Sequence, residues 1–229
     1  MLTKDISEKQ FEEDAMEIYE AFKEKEGSEH IATPLSICAV LKLAAKSENV
    51  LEIGAGIGTL SYAILAHSRA ALTTYEDNFF CIEQLKKNLQ MFDGRFKLLT
   101  SYMQMPSSRH FDLVIVDGAN GQNHDGGYKR FIHDLFSGVY PKIVYIEGVR
   151  RPQRRMIRET LRGRYALWVK KILYRGEYKG GTLYYCYRAP WIIREIKNGW
   201  NEIREHPRLE KYFSKIKPPK ALPLLSDRR

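Results

Sequence analysis

Four acidic residues each stand at the end of an apolar run: Glu52 in VLEIG, Glu76 in LTTYEDN, Asp117 in DLVIVDG and Glu147 in IVYIEG. Carboxylates so placed can accept hydrogen bonds from hydroxyls, take a proton, or ligate a cation through oxygen. After the first comes a glycine turn, Gly54-Ala55-Gly56-Ile57-Gly58, and then a helix-forming stretch. Glycine tolerates positive φ and lets backbone approach a ligand with no Cβ in the way. The N–H groups that open the next helix favour negative charge in the same space. After the last acid comes a run of cations, Arg150, Arg151, Arg154, Arg155 and Arg158. The loop that follows Asp117, GANGQNHDGGY, holds His124, Asp125 and Tyr128. His124 and Tyr128 are candidate general bases, with plain solvated loop residues as the alternative.

Acids at the ends of apolar runs need a scaffold that gathers those ends. Phe11, Ala15, Ile18, Tyr19 and Phe22 recur at helical spacing over 8–25, and Thr33-Pro34 opens a second helix running to about Lys46. Short apolar strands and amphipathic helices then alternate from NVLEIG to PQRRMIRETLRG. YALWVKKILYR and GTLYYCYR close the series as two strands, with GEYKGG read as the turn of a hairpin. Residues 190–215 read as a covering helix, and KIKPPKALPLLSDRR as an extended basic tail. Alternating strands and helices imply an α/β fold: a seven-stranded, mostly parallel sheet with helices on both faces and a C-terminal antiparallel hairpin. The expected organisation is a helical extension over 1–32, the α/β domain over 33–188, and a second helical extension with the basic tail over 189–229. In open parallel sheets ligands sit beyond the carboxyl ends of the strands, which ranks the four acids above other polar residues. Asp112, at the opposite end of its strand, reads as structural.

The chain of 229 residues is long enough for one full core. No apolar run approaches the ~20 residues that span a bilayer. The polar, acidic start MLTKDISEKQFEED gives no expectation of a signal peptide. Cys38, Cys81 and Cys186 are isolated, so buried thiols are expected rather than disulfides or a zinc site, and the cytoplasm is the expected compartment. Residues 1–30 hold 4 Lys/Arg and 10 Asp/Glu, whereas residues 139–229 hold 23 and 8, a net of +15. Such polarity can steer an acidic partner to one end, or be spent on pairing between the two ends.

Strand, glycine turn, helix, strand and acid is the grammar of a nucleoside-cofactor site. A dinucleotide site favours Gly-x-Gly-x-x-Gly. Here the order is Glu52-x-Gly54-x-Gly56-x-Gly58, which resembles the class I S-adenosylmethionine-dependent methyltransferases over roughly residues 33–188. The resemblance implies a Rossmann-like fold and S-adenosylmethionine as methyl donor. It implies that Gly54, Gly56 and Gly58 line the methionine part, and that Glu52 holds the loop and reaches the amino group directly or through water. It also implies that Glu76 binds the ribose hydroxyls, that Asp77 and Asn78 touch the adenosine, and that Asp117 faces the methyl group. After the third strand the family often carries an acid; this chain has Ser101 and Tyr102, which could hydrogen-bond and stack on adenine, with core packing as the alternative for Tyr102.

On the acceptor side, Asp117 and Glu147 end neighbouring strands. The pair could hold a divalent cation, or either carboxylate could take the acceptor's proton. Metal-dependent catechol-type O-methyltransferases place Asp-Asn after the fifth strand; Glu147-Gly148 departs from that, so no metal is assigned and Asp117 and Glu147 stay weak candidates. The arginines fall at the start of a helix, where cations oppose the dipole, and they suit phosphate or carboxylate. Arg150, Arg151 and Arg154 are therefore candidates for an anionic acceptor, with a solvated face as the alternative. The signatures of base amino-group, pyrimidine C5 and ribose 2′-O methylation are absent or incomplete. A small-molecule or sugar hydroxyl is the expected acceptor. A nucleic acid, or a nucleoside-binding partner subunit without turnover, are the alternatives.

Overall fold

The computed structural model describes residues 7–107, 109–118, 127–148, 151–174 and 177–205. His124, Arg150 and most of the loop after Asp117 lie outside them. Seven strands form one sheet: β1 (Asn49–Ile53), β2 (Ala71–Tyr75), β3 (Phe96–Leu99), β4 (Arg109–Val116), β5 (Val139–Ile146), β6 (Ala166–Tyr174) and β7 (Glu177–Tyr187). Their order is β3-β2-β1-β4-β5-β7-β6. The first five are parallel, and β7 runs antiparallel to both β5 and β6. The order reverses between β1 and β4, so the crevice of the fold opens where Glu52 and Asp117 stand in the chain.

The central strands β1 and β4 are buried on both faces, and their residues alternate between two cores. Leu113 and Ile115 join one cluster with α1 (Glu8–Lys23), α2 (Pro34–Ala44), α3 (Thr59–His67) and α4 (Phe79–Leu89). Val114 and Val116 join the other with α5 (Gly127–Gly138) and α6 (Arg151–Arg162). Ala15, Ile18 and Phe22 of α1 are buried in the first cluster, so the N-terminal helix shares the core of the sheet. The helix starts are set locally. Ser7 and Thr33 accept from the backbone N–H groups of Gln10 and Ser36, and Pro34 occupies the first helical position of α2. Asp112 accepts from the N–H groups of Glu48 and Asn49 at 2.8 and 3.0 Å and pairs with Lys142 at 2.7 Å, tying three strand starts together.

The seventh helix, α7 (Trp191–Glu205), covers the edge strand β6. Asn198 is buried there; it accepts from Leu167 N–H at 3.1 Å and donates to the carbonyls of Arg162 and Tyr165 at 3.2 and 3.0 Å. A sheet edge left open would template association, and α7 blunts it.

One expectation is corrected. Gly180 and Gly181 do not form the hairpin turn; β7 starts at Glu177 and runs through both. Their role is close approach. A Cβ on Gly181 would stand 2.5 Å from the Ile146 carbonyl oxygen and 2.7 Å from the Tyr145 ring, and its φ is +122°. One on Gly180 would meet Ile172 and Leu35 at 2.5 and 2.8 Å. Gly181→Ala should therefore cost about 2 kcal/mol or more in urea unfolding, combining strain with overlap. Gly94→Ala, at φ +79° with nothing within 4 Å, should cost only about 1 kcal/mol. Equal losses would refute the packing role of Gly181.

Candidate functional site

The three glycines of the turn have three different reasons to be glycine. Gly54 (φ +82°) lies against the turn after β4, where a Cβ would collide with the Asp117 carbonyl oxygen. Gly58 (φ +94°) opens α3, and its Cβ would come within 3.3 Å of Leu85. Gly56 (φ +55°) faces open space, with nothing within 4 Å of a Cβ built there. Only at Gly56, then, does the turn leave room for a bound group.

Glu76 follows β2 directly and is tied to that turn. Its Oε2 accepts from Gly56 N–H at 2.7 Å, and its Oε1 accepts from Asp77 and Asn78 N–H at 3.0 and 2.9 Å. Three N–H donors orient the carboxylate, and Oε2 keeps a lone pair for a further donor. Asn78 caps α4 by accepting from Cys81 N–H at 3.1 Å, and Asp77 accepts from the Tyr75 hydroxyl at 2.9 Å.

Glu52 works from beneath. It is fully buried, and its Oε2 accepts from the Ser61 hydroxyl and from Thr74 Oγ1, the latter at 2.8 Å. Its Oε1 is buried without a hydrogen-bond partner. The carboxylate thus clamps β1 to α3 and β2, and with no exposed surface it reaches a ligand only through another group. Burial pushes its pKa up to about 7, helped by the charge of Glu76 and opposed by the Ser61 and Thr74 hydroxyls.

After β3, Ser101 and Tyr102 are engaged locally. Ser101 caps a single turn, accepting from Met103 N–H at 3.3 Å, while Gln104 accepts from Ser101 N–H at 3.2 Å. Tyr102 packs on Phe131 of α5 at 5.4 Å between centroids, and its hydroxyl donates to Asp134 at 3.0 Å. Tyr102 stays exposed at 36%, and the more exposed apolar side chains on this edge include Phe79, which opens α4 after β2, and Met103, in the turn after β3.

On the other side of the crevice, Asp117 and Glu147 lie one residue beyond the Val116–Ile146 pair, so their backbones run about 4.8 Å apart. Asp117 is half-buried, and its N–H donates to Ile53 carbonyl at 2.9 Å. Gly118 carbonyl accepts from Gln153 Nε2 of α6 at 2.9 Å, which braces the turn. Glu147 is buried to the same degree as Glu76. The Ser36 hydroxyl at the start of α2 donates to its Oε1 at 3.0 Å and lies 3.3 Å from the Gly180 carbonyl. Glu147 so joins the end of β5 to α2, a role that its position after a strand did not reveal. Among the described residues no three His, Cys, Asp or Glu side chains group as a metal site. Arg154 reaches Thr182 Oγ1 at 3.5 Å, and Arg151 is exposed at the first turn of α6.

The Glu52 carboxyl has a testable signature. Its folded pKa lies above the unfolded value near 4.5, so its contribution is full below that value and is lost as pH rises through about 7. Stability should decline by about 3 kcal/mol between pH 4.5 and 7.5 from this group. Glu52→Gln should flatten that decline, with the gain over wild type growing toward pH 8. Parallel thermal-midpoint curves across pH would refute it.

The methyltransferase small domain family matches residues 32–132. No curated protein sequence matches the chain. Many solved structures share the fold. A candidate RNA methyltransferase from Pyrococcus horikoshii is 18% identical, with 78% of this chain and 100% of that one aligned and a TM-score of 0.53. The N-methyltransferase NodS from Bradyrhizobium japonicum, in complex with S-adenosylhomocysteine, is 13% identical over 77% and 98%, with a TM-score of 0.54. Magnesium protoporphyrin IX methyltransferase from Synechocystis, with bound S-adenosylmethionine, is 12% identical over 82% and 100%, with a TM-score of 0.53. Residues 32–132 thus match the methyltransferase small domain family, and the seven-stranded sheet, whose last three strands lie beyond that match, has the Rossmann-like fold of the class I S-adenosylmethionine-dependent methyltransferases.

Proposed function

We propose that this protein binds S-adenosylmethionine between the Gly56 turn and Glu76, and methylates a hydroxyl of a small-molecule or sugar acceptor that carries negative charge. The observation that carries the reading is the Glu76 carboxylate, held by three backbone N–H groups directly beside the one open glycine of the turn. Its remaining lone pair suits a ribose hydroxyl. Phe79 and Met103 offer apolar surface to a nucleobase on the same edge. Gly56 leaves space for the methionine portion, and Glu52 keeps that turn in place from the core side.

When bound, the donor supplies a methyl group already activated on a sulfonium. The protein must then hold the acceptor in line, exclude water and remove one proton. Asp117 stands at the reversal of the sheet against Gly54, on the acceptor side of the turn. Its carboxylate would take the hydroxyl proton as the methyl passes from sulfur to the acceptor oxygen, leaving the donor as its neutral thioether. Glu147, held by Ser36, fixes α2 and β5 around this space and leaves the proton to Asp117. Arg151 and Arg154 supply positive charge for an anionic acceptor from the first turns of α6.

Calorimetry with S-adenosylmethionine and S-adenosylhomocysteine tests the donor half. Glu76→Ala should weaken binding at least about tenfold, the loss of a hydrogen bond to a charged group. Equal affinity for wild type and variant would sink the ribose assignment. Asp117→Asn should keep donor affinity and lower turnover by about 10²–10⁴-fold, read with labelled donor across a panel of hydroxyl acceptors. Turnover at the wild-type rate would remove Asp117 from the acceptor side.

A further inference from the structure

α7 turns its apolar side outward. Trp191, Ile192, Ile193, Ile196 and Trp200 are each between 50% and 68% exposed. The side that packs on β6 is polar. Asn198 is buried in its bonds to Leu167, Arg162 and Tyr165, Arg194 is half-buried, and the Lys197 ammonium lies 4.9 Å over the Trp168 ring. At 3.6 residues per turn, Ile192, Ile196 and Trp200 fall on one face, with Arg194 and Asn198 on the opposite one. A helix that served only to cover a sheet edge would bury its isoleucines and expose its charges. A contiguous apolar face of this kind marks a contact with something else.

The charge that follows narrows what that contact is. Residues 206–229 hold seven Lys/Arg and two Asp/Glu, a net of +5. Within them Leu209, Tyr212, Phe213 and Ile216 interleave with Arg208, Lys211, Lys215 and Lys217. α7 itself holds three cations and three acids, and Glu195 borders the apolar face. Attraction to an anionic partner therefore comes from the segment after the helix. A second copy of the chain would cover the isoleucines but bring two segments of like charge to one place. An anionic bilayer matches both features. Isoleucine and tryptophan enter the boundary between headgroups and acyl chains, and lysine and arginine are drawn to the lipid phosphates.

We propose that α7 and residues 206–229 dock the protein on the surface of an anionic lipid bilayer, with the Ile192, Ile196 and Trp200 face lying in the interface. Among the described residues no helix is long and apolar enough to cross a membrane, so the attachment is peripheral. The fold sets its direction. β7 ends at Tyr187 toward the start of β5, and Asn198 holds the start of β6. The crevice opens at the other end of these strands, where β5 runs into Glu147. A docked molecule keeps its crevice turned to water, which suits a soluble acceptor. The docking itself does not depend on the methyltransferase reading.

Vesicle flotation tests this, with pure phosphatidylcholine and with equal parts phosphatidylcholine and phosphatidylglycerol. The proteins compared are wild type, Ile192→Gln/Ile196→Gln and Lys215→Gln/Lys217→Gln. Wild type should bind the anionic vesicles at low salt, and pure phosphatidylcholine at least about tenfold more weakly. The lysine variant should lose at least about tenfold on the anionic vesicles. The isoleucine variant should lose as much there, about tenfold or more, with its thermal midpoint kept because both side chains are exposed. Brominated lipid in the anionic vesicles should quench wild-type tryptophan fluorescence, and Trp191→Phe/Trp200→Phe should remove most of that quenching. No binding to anionic vesicles at low salt, equal binding by wild type and the isoleucine variant, or binding without quenching would overturn the inference. A wild-type dimer in analytical ultracentrifugation that the isoleucine variant makes monomeric, with no vesicle binding, would assign the face to a second copy instead. Vesicle binding that appears only once residues 206–229 are removed would assign it to that segment.

Discussion

The approach of Gly54 to the carbonyl of Asp117 sets the geometry of the whole crevice. No side chain fits between them, so the turn after β1 and the turn after β4 meet backbone to backbone. The Asp117 N–H bond to the Ile53 carbonyl locks that meeting. A parallel sheet must splay its loops where the strand order reverses, and here the splay is held to the width of one glycine. Gly54 and Asp117 are then neighbours by construction, although more than 60 residues separate them in the chain.

That junction needs a stiff floor, and the floor is electrostatically costly. Glu52 is a carboxylate in the core with one oxygen unpartnered. Burying it ionised costs more than burying a neutral acid, which is why its pKa rises. The hydroxyls of Ser61 and Thr74 recover part of that cost and turn it into a bond between β1, β2 and α3. Glu147 repeats the device at the end of β5 with Ser36. Each half of the crevice is therefore footed on a carboxylate at the end of a strand, held by a hydroxyl from a helix on the α1–α4 face of the sheet.

The sequence makes the local parts legible and hides the long-range ones. Strand and helix alternation, the N-caps Ser7 and Thr33, the glycine turn and the acid after β2 all depend on neighbouring residues, and all can be read along the chain. Gly180 and Gly181 mislead, because a Gly-Gly pair beside a strand reads as a turn. Their cause is the Tyr145 ring and the Ile146 carbonyl on a strand more than 30 residues away. Ser36, Ser61, Thr74 and Gln153 gave no signal, since a small polar residue on a helix or strand looks solvated until its buried partner is known. Tyr102 read either as a stacking platform or as core; Phe131 and Asp134 engage it from α5, a helix that periodicity could place only in sequence.

The same sheet also sorts charge. The ends of β1 and β2 and the turn after β4 carry Glu52, Glu76, Asp77 and Asp117, whereas α6, beside β5 and β7, carries five arginines and one acid. The first turn of α6 bears no acid, so its arginines stand against the helix dipole at some cost to the fold. Glu159 of the same helix pairs with Arg155 at 3.8 Å. A cationic sulfonium and an anionic acceptor would each be drawn to the half of opposite sign and repelled from the other. On the proposed reading, the cost borne at α6 would help orient two ligands of opposite charge about the line where Gly54 and Asp117 meet.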